Sequence, residues 1–219
     1  MGSDNLFHKR KERKAASLRR RKASLAPYDV VLIVCEGEKT EPNYFNEFKK
    51  AFRLSNANVR VVGRGVDPLS VVNHAIELCR QEKEYDRVYC VFDQDRHTTY
   101  HSALERIRSV KRLGKVELFG IPSVPCFEFW LLLHFVYTTE SFYSPSGGSI
   151  CDEVIKRLRR YLPGYKKGNN DIFDKLRDKM DEAIKRAYEI EKFHKTSETD
   201  NPSTKVHHLV EYLRDLKKQ

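Results

Sequence analysis

Two short acidic turns carry the first chemical signal in this sequence. In "VVLIVCEGEKTE" an apolar run ends at Glu36, with Glu38 and Glu41 close behind. In "VFDQDRH" a second apolar run ends at Asp93 and Asp95. A single acid at a strand end needs no special account, because Asp and Glu favour loops and the first turns of helices. Two such ends together do need one, since carboxylates brought close repel one another unless a cation stands between them. Asp93 and Asp95 are two residues apart, so on an extended backbone they share a face. With Glu36 they would form an all-oxygen donor set, which suits Mg²⁺ or Mn²⁺. An ion there offsets the repulsion. With a phosphodiester supplying further oxygens, it can activate water, orient the substrate and stabilise the leaving oxygen. The pattern predicts metal ligands at Glu36, Asp93 and Asp95 and catalysis of phosphodiester chemistry.

Other residues could serve the same site. Glu128 interrupts the otherwise apolar "PCFEFWLLLHF". A buried carboxylate is costly unless it is paired or binds metal. Its segment directly follows a strand and should begin at the same sheet edge, so Glu128 joins the catalytic set; an Arg or Lys partner among the later helices is the competing explanation. Lys166 and Lys167, in "GYKKGN", could supply a cation to a transition state or simply be solvated lysines. Lys39, Lys167 and Arg96 are candidates for gripping phosphate, with a carboxylate partner the alternative for Arg96, and Gly37 is a candidate for shaping the turn. Glu41 fits an ordinary acid in a first helical turn, and Glu38 has no assigned role. His97 and His101 would share a helical face, but without a third ligand they read as ordinary histidines. His207 and His208 read as facing solvent or a partner, and Trp130, Phe127 and Phe129 as core.

The elements that must position these groups alternate. Strands are expected at "DVVLIVCE", "NVRVVG", "DRVYCVFD" and "KVELFGIP", with helices at "TEPNYFNEFKKAF", "DPLSVVNHAIELCRQEK" and "TTYHSALERIRSVKRLG" between them. Thr40 is the expected cap of the first helix, with Pro42 in its first turn; Asp67 and Pro68 open the second, and the third should stop at Gly114. The order β-α-β-α-β-α-β predicts an α/β fold, a parallel sheet flanked by helices, with ligands at the C-terminal strand ends. After Pro125 the alternation stops. A short helix in 126–135, a loop over 137–148, and helices at about 149–162, 170–194 and 203–217 predict a helical extension packed on the sheet, the last helix capped by Asn201 or Ser203. The expected organisation is a basic, flexible tail at 1–27, an α/β core at 28–125 and the extension at 126–219.

Composition bounds the rest. The chain has 219 residues and a formal net charge of +10. Residues 8–22 hold nine Lys/Arg against one Glu, so the basicity belongs to the tail and the remainder is near neutral. A tail of this kind, with Arg19, Arg20 and Arg21 at its centre, can hold nucleic-acid phosphates without reading sequence, or simply be solvated. The five cysteines are scattered with no CxxC pair, which argues against a zinc site and against a disulfide framework. No apolar run approaches a membrane span, and the N-terminus is too basic for a signal peptide, so a soluble cytoplasmic protein without a membrane partner is expected. A homo-oligomer is compatible with this reading.

Strand-Glu-Gly followed by strand-Asp-x-Asp resembles the Toprim domain of topoisomerases, primases and related nucleases. More narrowly, "CEGEKTEPNYF", "VFDQDRH", "PCFEFWLLLHF", "GYKK" and "NPST", in that order, resemble the RloB family of defence-associated proteins. The resemblance runs from about residue 28 to 212. It implies a Toprim-like fold and a Mg²⁺- or Mn²⁺-dependent nuclease acting on DNA, RNA or tRNA in defence against phage or foreign DNA. It matches Glu36 to the Toprim glutamate and Asp93 and Asp95 to the metal-binding pair. It also implies a defence-associated ATPase as partner. The alternative is a non-catalytic module that binds nucleic acid or a partner.

Overall fold

The computed structural model describes residues 28–218 except 56, 57, 83, 96, 111, 145–147 and 198. Arg19, Arg20, Arg21 and Arg96, and the tail to which the first three belong, lie outside the described residues.

The sheet is built on β1 (Val31–Cys35), β2 (Val59–Gly63), β3 (Arg87–Asp93) and β5 (Val116–Val124), in the order β2-β1-β3-β5, all parallel. Short β4 (Arg112–Leu113) and β6 (Ser203–Thr204) both pair antiparallel with β5. Every residue of β1 is buried, as a strand between two parallel neighbours and two helical layers requires. Side chains alternate along it. Val31, Ile33 and Cys35 enter one core, and Leu32 and Val34 the other.

The second core is closed by α2 (Pro68–Gln81) and α3 (Tyr100–Ser109) through Val72, Ala75, Ile76, Ala103 and Ile107. The first core is closed by α1 (Thr40–Ala51), whose Tyr44, Phe45 and Phe48 recur at helical spacing. That core continues through α4 (Glu128–Leu133), α5 (Ile150–Leu158), α6 (Ile172–Leu176), α7 (Met180–His194) and α8 (Val206–Asp215). The later helices thus share one core with the sheet face that α1 covers. Trp130, Phe127 and Phe129 are buried in it as expected.

Several local expectations give way to tertiary structure. The third helix stops at Ser109, not Gly114. Gly114, at φ +70°, instead turns a two-residue hairpin in which Leu113 opposes Val116. Thr40 is the first helical residue of α1, and the cap position is Lys39. The hydroxyl of Thr40 accepts a hydrogen bond from Gly168 N at 3.0 Å, a distant loop having claimed the expected capping group. Ser203 belongs to β6, and α8 begins after Lys205. The stretch expected as one helix over 170–194 is interrupted by a tight turn at Arg177–Lys179. Cys126 and Cys151 form a disulfide, with Cα atoms 5.8 Å apart, where the scattered spacing of the cysteines argued against a disulfide framework. Their separation of 25 in sequence gives no local spacing signal; the fold brings the entry to α4 against the first turn of α5.

Candidate functional site

A cleft of about 610 Å³ opens at the C-terminal ends of β1 and β3. Cys35 pairs with Val91, and Asp93 with Ser123, so the ends of β1, β3 and β5 lie at one edge of the sheet. The backbone leaving β1 is tied there, with Glu36 N donating to Val91 O at 2.9 Å and Gly65 N donating to Glu36 O at 2.7 Å. The turn after β3 is tied to the end of β5, through Gln94 N to Ser123 O and Asp95 N to Pro125 O, both 2.9 Å.

The acids take distinct places. Glu36 Oε2 accepts from Asp93 N at 2.9 Å, and its Oε1 lies 2.8 Å from His97 Nε2. Asp93 lines the cleft at the end of β3, and its Oδ1 is buried with no hydrogen-bond partner. Asp95 lies past the strand at φ +25°, so the two aspartates do not share an extended backbone. Asp95 Oδ2 accepts from Ser149 Oγ at 3.3 Å, and its Oδ1 is likewise buried without a partner. Glu128 is 2 % exposed and accepts from the Tyr165 hydroxyl at 3.1 Å. Its Oε2 lies 3.2 Å from Cys151 Sγ, a contact in which a thiol would donate and a disulfide sulfur cannot.

Glu41, read from sequence as a routine first-turn acid, faces the cleft and is 6 % exposed. The place a Cβ would take on Gly37 lies 2.2 Å from Glu41 Oε2. Gly37 thus makes room for a carboxylate of this chain. Asp67, capping α2, also reaches the cleft and accepts from Leu69 N, Ser70 N and the Thr99 hydroxyl, which joins the start of α3 to that of α2.

Burial and mutual charge act on these acids together. Burial pushes Glu41 up to about 7, and the charges of Glu128 and Glu36 push the same way. Asp93 is raised well above the usual carboxylate range, first by burial and then by Glu41, Glu128 and Glu36. Burial also raises Glu36, with Asp67 and Asp95 adding to it, against the Asp93 amide and His97. Glu128 is raised by burial in spite of Lys167 and the Tyr165 hydroxyl. The site gathers carboxyl groups where burial disfavours their charged form.

The cations divide by loop geometry. Lys167 lines the cleft with Nζ 3.9 Å from Glu128 Oε1, and Lys39 lines its mouth. Lys166, expected from the sequence to be catalytic, is exposed and outside the cleft lining, and its neighbour Lys167 is the lysine at the cleft. The loop is held to α1 by the Thr40–Gly168 bond and by Asn43 Nδ2, which donates to Gly168 O at 2.9 Å and Asn170 Oδ1 at 2.6 Å. Gly168, at φ +82°, packs against the Lys39 side chain.

Among the described residues, three ligand atoms within 4.8 Å of one another occur in two sets, Cys126–Glu128–Cys151 and Glu191–His207–His208. Glu36, Asp93 and Asp95 are not such a set; Glu36 is turned onto the Asp93 amide and His97. His97 therefore contacts the site through Glu36, while His101 is exposed. His207, expected at the surface, is fully buried.

The chain matches the family model described as RloB-like protein over residues 31–213. It belongs to the RloB-like family. The match spans the sheet, the cleft and all the later helices up to Leu213. No curated protein and no solved structure matches the chain. None of the helices among the described residues is long and apolar enough to cross a membrane.

Proposed function

We propose that this RloB-like protein is a divalent-metal-dependent nuclease that hydrolyses phosphodiester bonds in nucleic acid. The observation that carries this reading is the cluster of Glu36, Glu41, Asp93 and Glu128 around one cleft, each pushed toward protonation by burial and by neighbouring carboxylates. A cation reverses that cost, and the unpartnered Oδ1 atoms of Asp93 and Asp95 are the kind of orphaned acceptors a cation satisfies. The donors are all carboxylates, so the residues fit Mg²⁺ or Mn²⁺ held by Glu36, Asp93 and Asp95, with Glu41 and Glu128 beside them. When bound, such an ion supplies Lewis acidity toward a phosphodiester oxygen and a more acidic water.

The chain's own residues do the rest. Lys167 and Lys39 stand where a phosphate would enter, and their charge favours the dianionic character that develops during attack. Glu128, whose carboxyl burial raises above its ordinary value, lies beside Lys167, with Oε1 3.9 Å from Nζ. His97 holds Glu36 through Oε1 and offers a path for a proton to solvent. Tyr165 and Thr40 fix the loop, so that Lys167 is presented at one place. The substrate is DNA, RNA or tRNA, and the setting is defence against phage or foreign DNA beside a partner ATPase, both drawn from the family resemblance.

A second reading, a nucleic-acid- or partner-binding module without catalysis, draws on one observation: Glu36, Asp93 and Asp95 do not present three ligand atoms within 4.8 Å. Cleavage assays decide between the two. Single- and double-stranded DNA, messenger-type RNA and tRNA are incubated with the protein and Mg²⁺ or Mn²⁺, with and without the partner ATPase. Cleavage that is lost on chelation and in Asp93→Ala supports the nuclease. Failure to cut any substrate, or an Asp93→Ala variant as active as the parent, eliminates it.

A further inference from the structure

A second cluster of ligating side chains lies away from the acidic cleft, where α7 meets the start of α8. Glu191, on α7, faces His207 and His208, neighbours in the first turn of α8. Both imidazoles aim the same nitrogen at the same oxygen. His207 Nε2 lies 3.1 Å from Glu191 Oε2, and His208 Nε2 lies 2.9 Å from it. We propose that Glu191, His207 and His208 form a second metal-binding site, for Zn²⁺ or a similar imidazole-preferring ion.

Four features favour an ion over a simple hydrogen-bonded trio. The first is spacing. With metal–ligand bonds of about 2.0–2.1 Å, the edge of a tetrahedral site is about 3.3 Å. The two oxygen–nitrogen edges here, 3.1 and 2.9 Å, need only a few tenths of an ångström of expansion. The second is the donor set. Two imidazoles and one carboxylate are the ligands of a zinc centre that keeps an open position. The third is the support around them. Lys205 Nζ holds the other carboxylate oxygen, Oε1, and so turns Oε2 toward both histidines. A hydrogen-bonded second oxygen is the usual partner of a ligating carboxylate. The Tyr188 ring meets both imidazoles edge-on, with centroids 4.5 and 5.3 Å away, and limits their rotation. The fourth is access. His208 keeps 41 % of its side chain exposed, which leaves a side from which an ion and a water can enter. His207 is fully buried, with Nε2 turned to Glu191 and Nδ1 without a hydrogen-bond partner.

The position suggests what the ion does. Lys205 N donates to Pro122 O at 2.9 Å, and Thr204 pairs with Ser123, whose other neighbour in the sheet is Asp93. An ion across Glu191, His207 and His208 would tie α7 to the start of α8, and through β6 to the strand beside Asp93.

The test uses the full chain freed of divalent ions and titrated with Zn²⁺ by calorimetry. Asp93→Asn is the parallel arm that weakens the acidic cleft, and Co²⁺ is a second probe whose visible absorption becomes strong in tetrahedral coordination. About one equivalent of Zn²⁺ should bind in both the parent and Asp93→Asn, and binding should weaken at least roughly tenfold in Glu191→Gln and in His208→Ala. Zinc should also raise the melting temperature of the parent more than that of either variant. Glu191→Gln preserves the shape of the site and decides alone if His208→Ala does not fold. No uptake of Zn²⁺ would overturn the proposal. So would uptake unchanged in Glu191→Gln, the outcome expected if the ion sat elsewhere on the chain.

Discussion

Glu41 gives the most direct handle on the acidic cleft, because its effect can be worked out before any substrate is known. Its carboxyl is pushed from 4.5 to about 7, first by burial and then by Glu128 and Glu36. At roughly 1.4 kcal/mol per pH unit, the gap is worth about 3 kcal/mol of folding stability. Glu41 is 6 % exposed, so solvent screening removes little of it. The sign follows from which state sheds its proton first. Below pH 4.5 both states are protonated and the full stability is present. Between 4.5 and 7 the unfolded chain ionises while the folded chain holds its proton, so stability falls as pH rises. Above 7 the loss is complete. Glu41→Gln has no such group. Urea unfolding followed by the fluorescence of the single, buried Trp130 measures the difference, at a series of pH values in the presence of EDTA. Parent and variant should be near parity at pH 4.5, and the variant should gain about 3 kcal/mol on the parent by pH 8. Adding Mg²⁺ or Mn²⁺ should recover stability in the parent chiefly at high pH. Stability–pH curves that run parallel for the two proteins would refute both the buried charge cluster and the case for a cation built on it.

Two substitutions and one control test the positioning of the cleft. Gly37→Ala places a methyl group where Glu41 Oε2 now lies 2.2 Å away, and a side-chain end gives way more easily than backbone. Metal-dependent cleavage should therefore fall at least tenfold, with stability changed by less than about 2 kcal/mol in chemical denaturation; a variant that cuts normally would show that the Glu41 carboxylate has no required position. Lys167→Ala should lower cleavage by about one to two orders of magnitude, while Lys166→Ala, outside the cleft lining, should leave it within about twofold. Steady-state rates that rank the two lysines in the opposite order would remove Lys167 from the site.

The sheet was legible in the sequence because its signals are local and redundant. Five consecutive β-branched, aliphatic or cysteine residues at Val31–Cys35 admit few readings other than a strand covered on both faces, and alternation with helices makes the sheet parallel. Glu36 and Asp93 were legible for the same reason, since each is the residue at which such a strand ends. Errors arose where a residue had two possible partners and the distant one won. Thr40 has the chemistry of a cap, but its hydroxyl serves Gly168. Gly114 has the conformational freedom to stop a helix, but it turns a hairpin. Cys126 and Cys151 have no mutual spacing that a sequence could display.

Glu41 shows why part of the site stayed hidden. An acid in the first turn of a helix is so common that its presence carries little information. What sets this one apart is the absence of a side chain four positions earlier. Gly37 leaves space for the Glu41 carboxylate to turn back over the strand end instead of out to solvent. In "CEGEKTE", then, the glycine and the last glutamate act as a unit, and Glu38, exposed in the same turn, does not. A substitution pair follows the same logic. If Gly37→Ala impairs the site by displacing Glu41, then adding it to Glu41→Ala, which leaves nothing to displace, should cost little further activity. Effects that simply add would mean the two residues act separately.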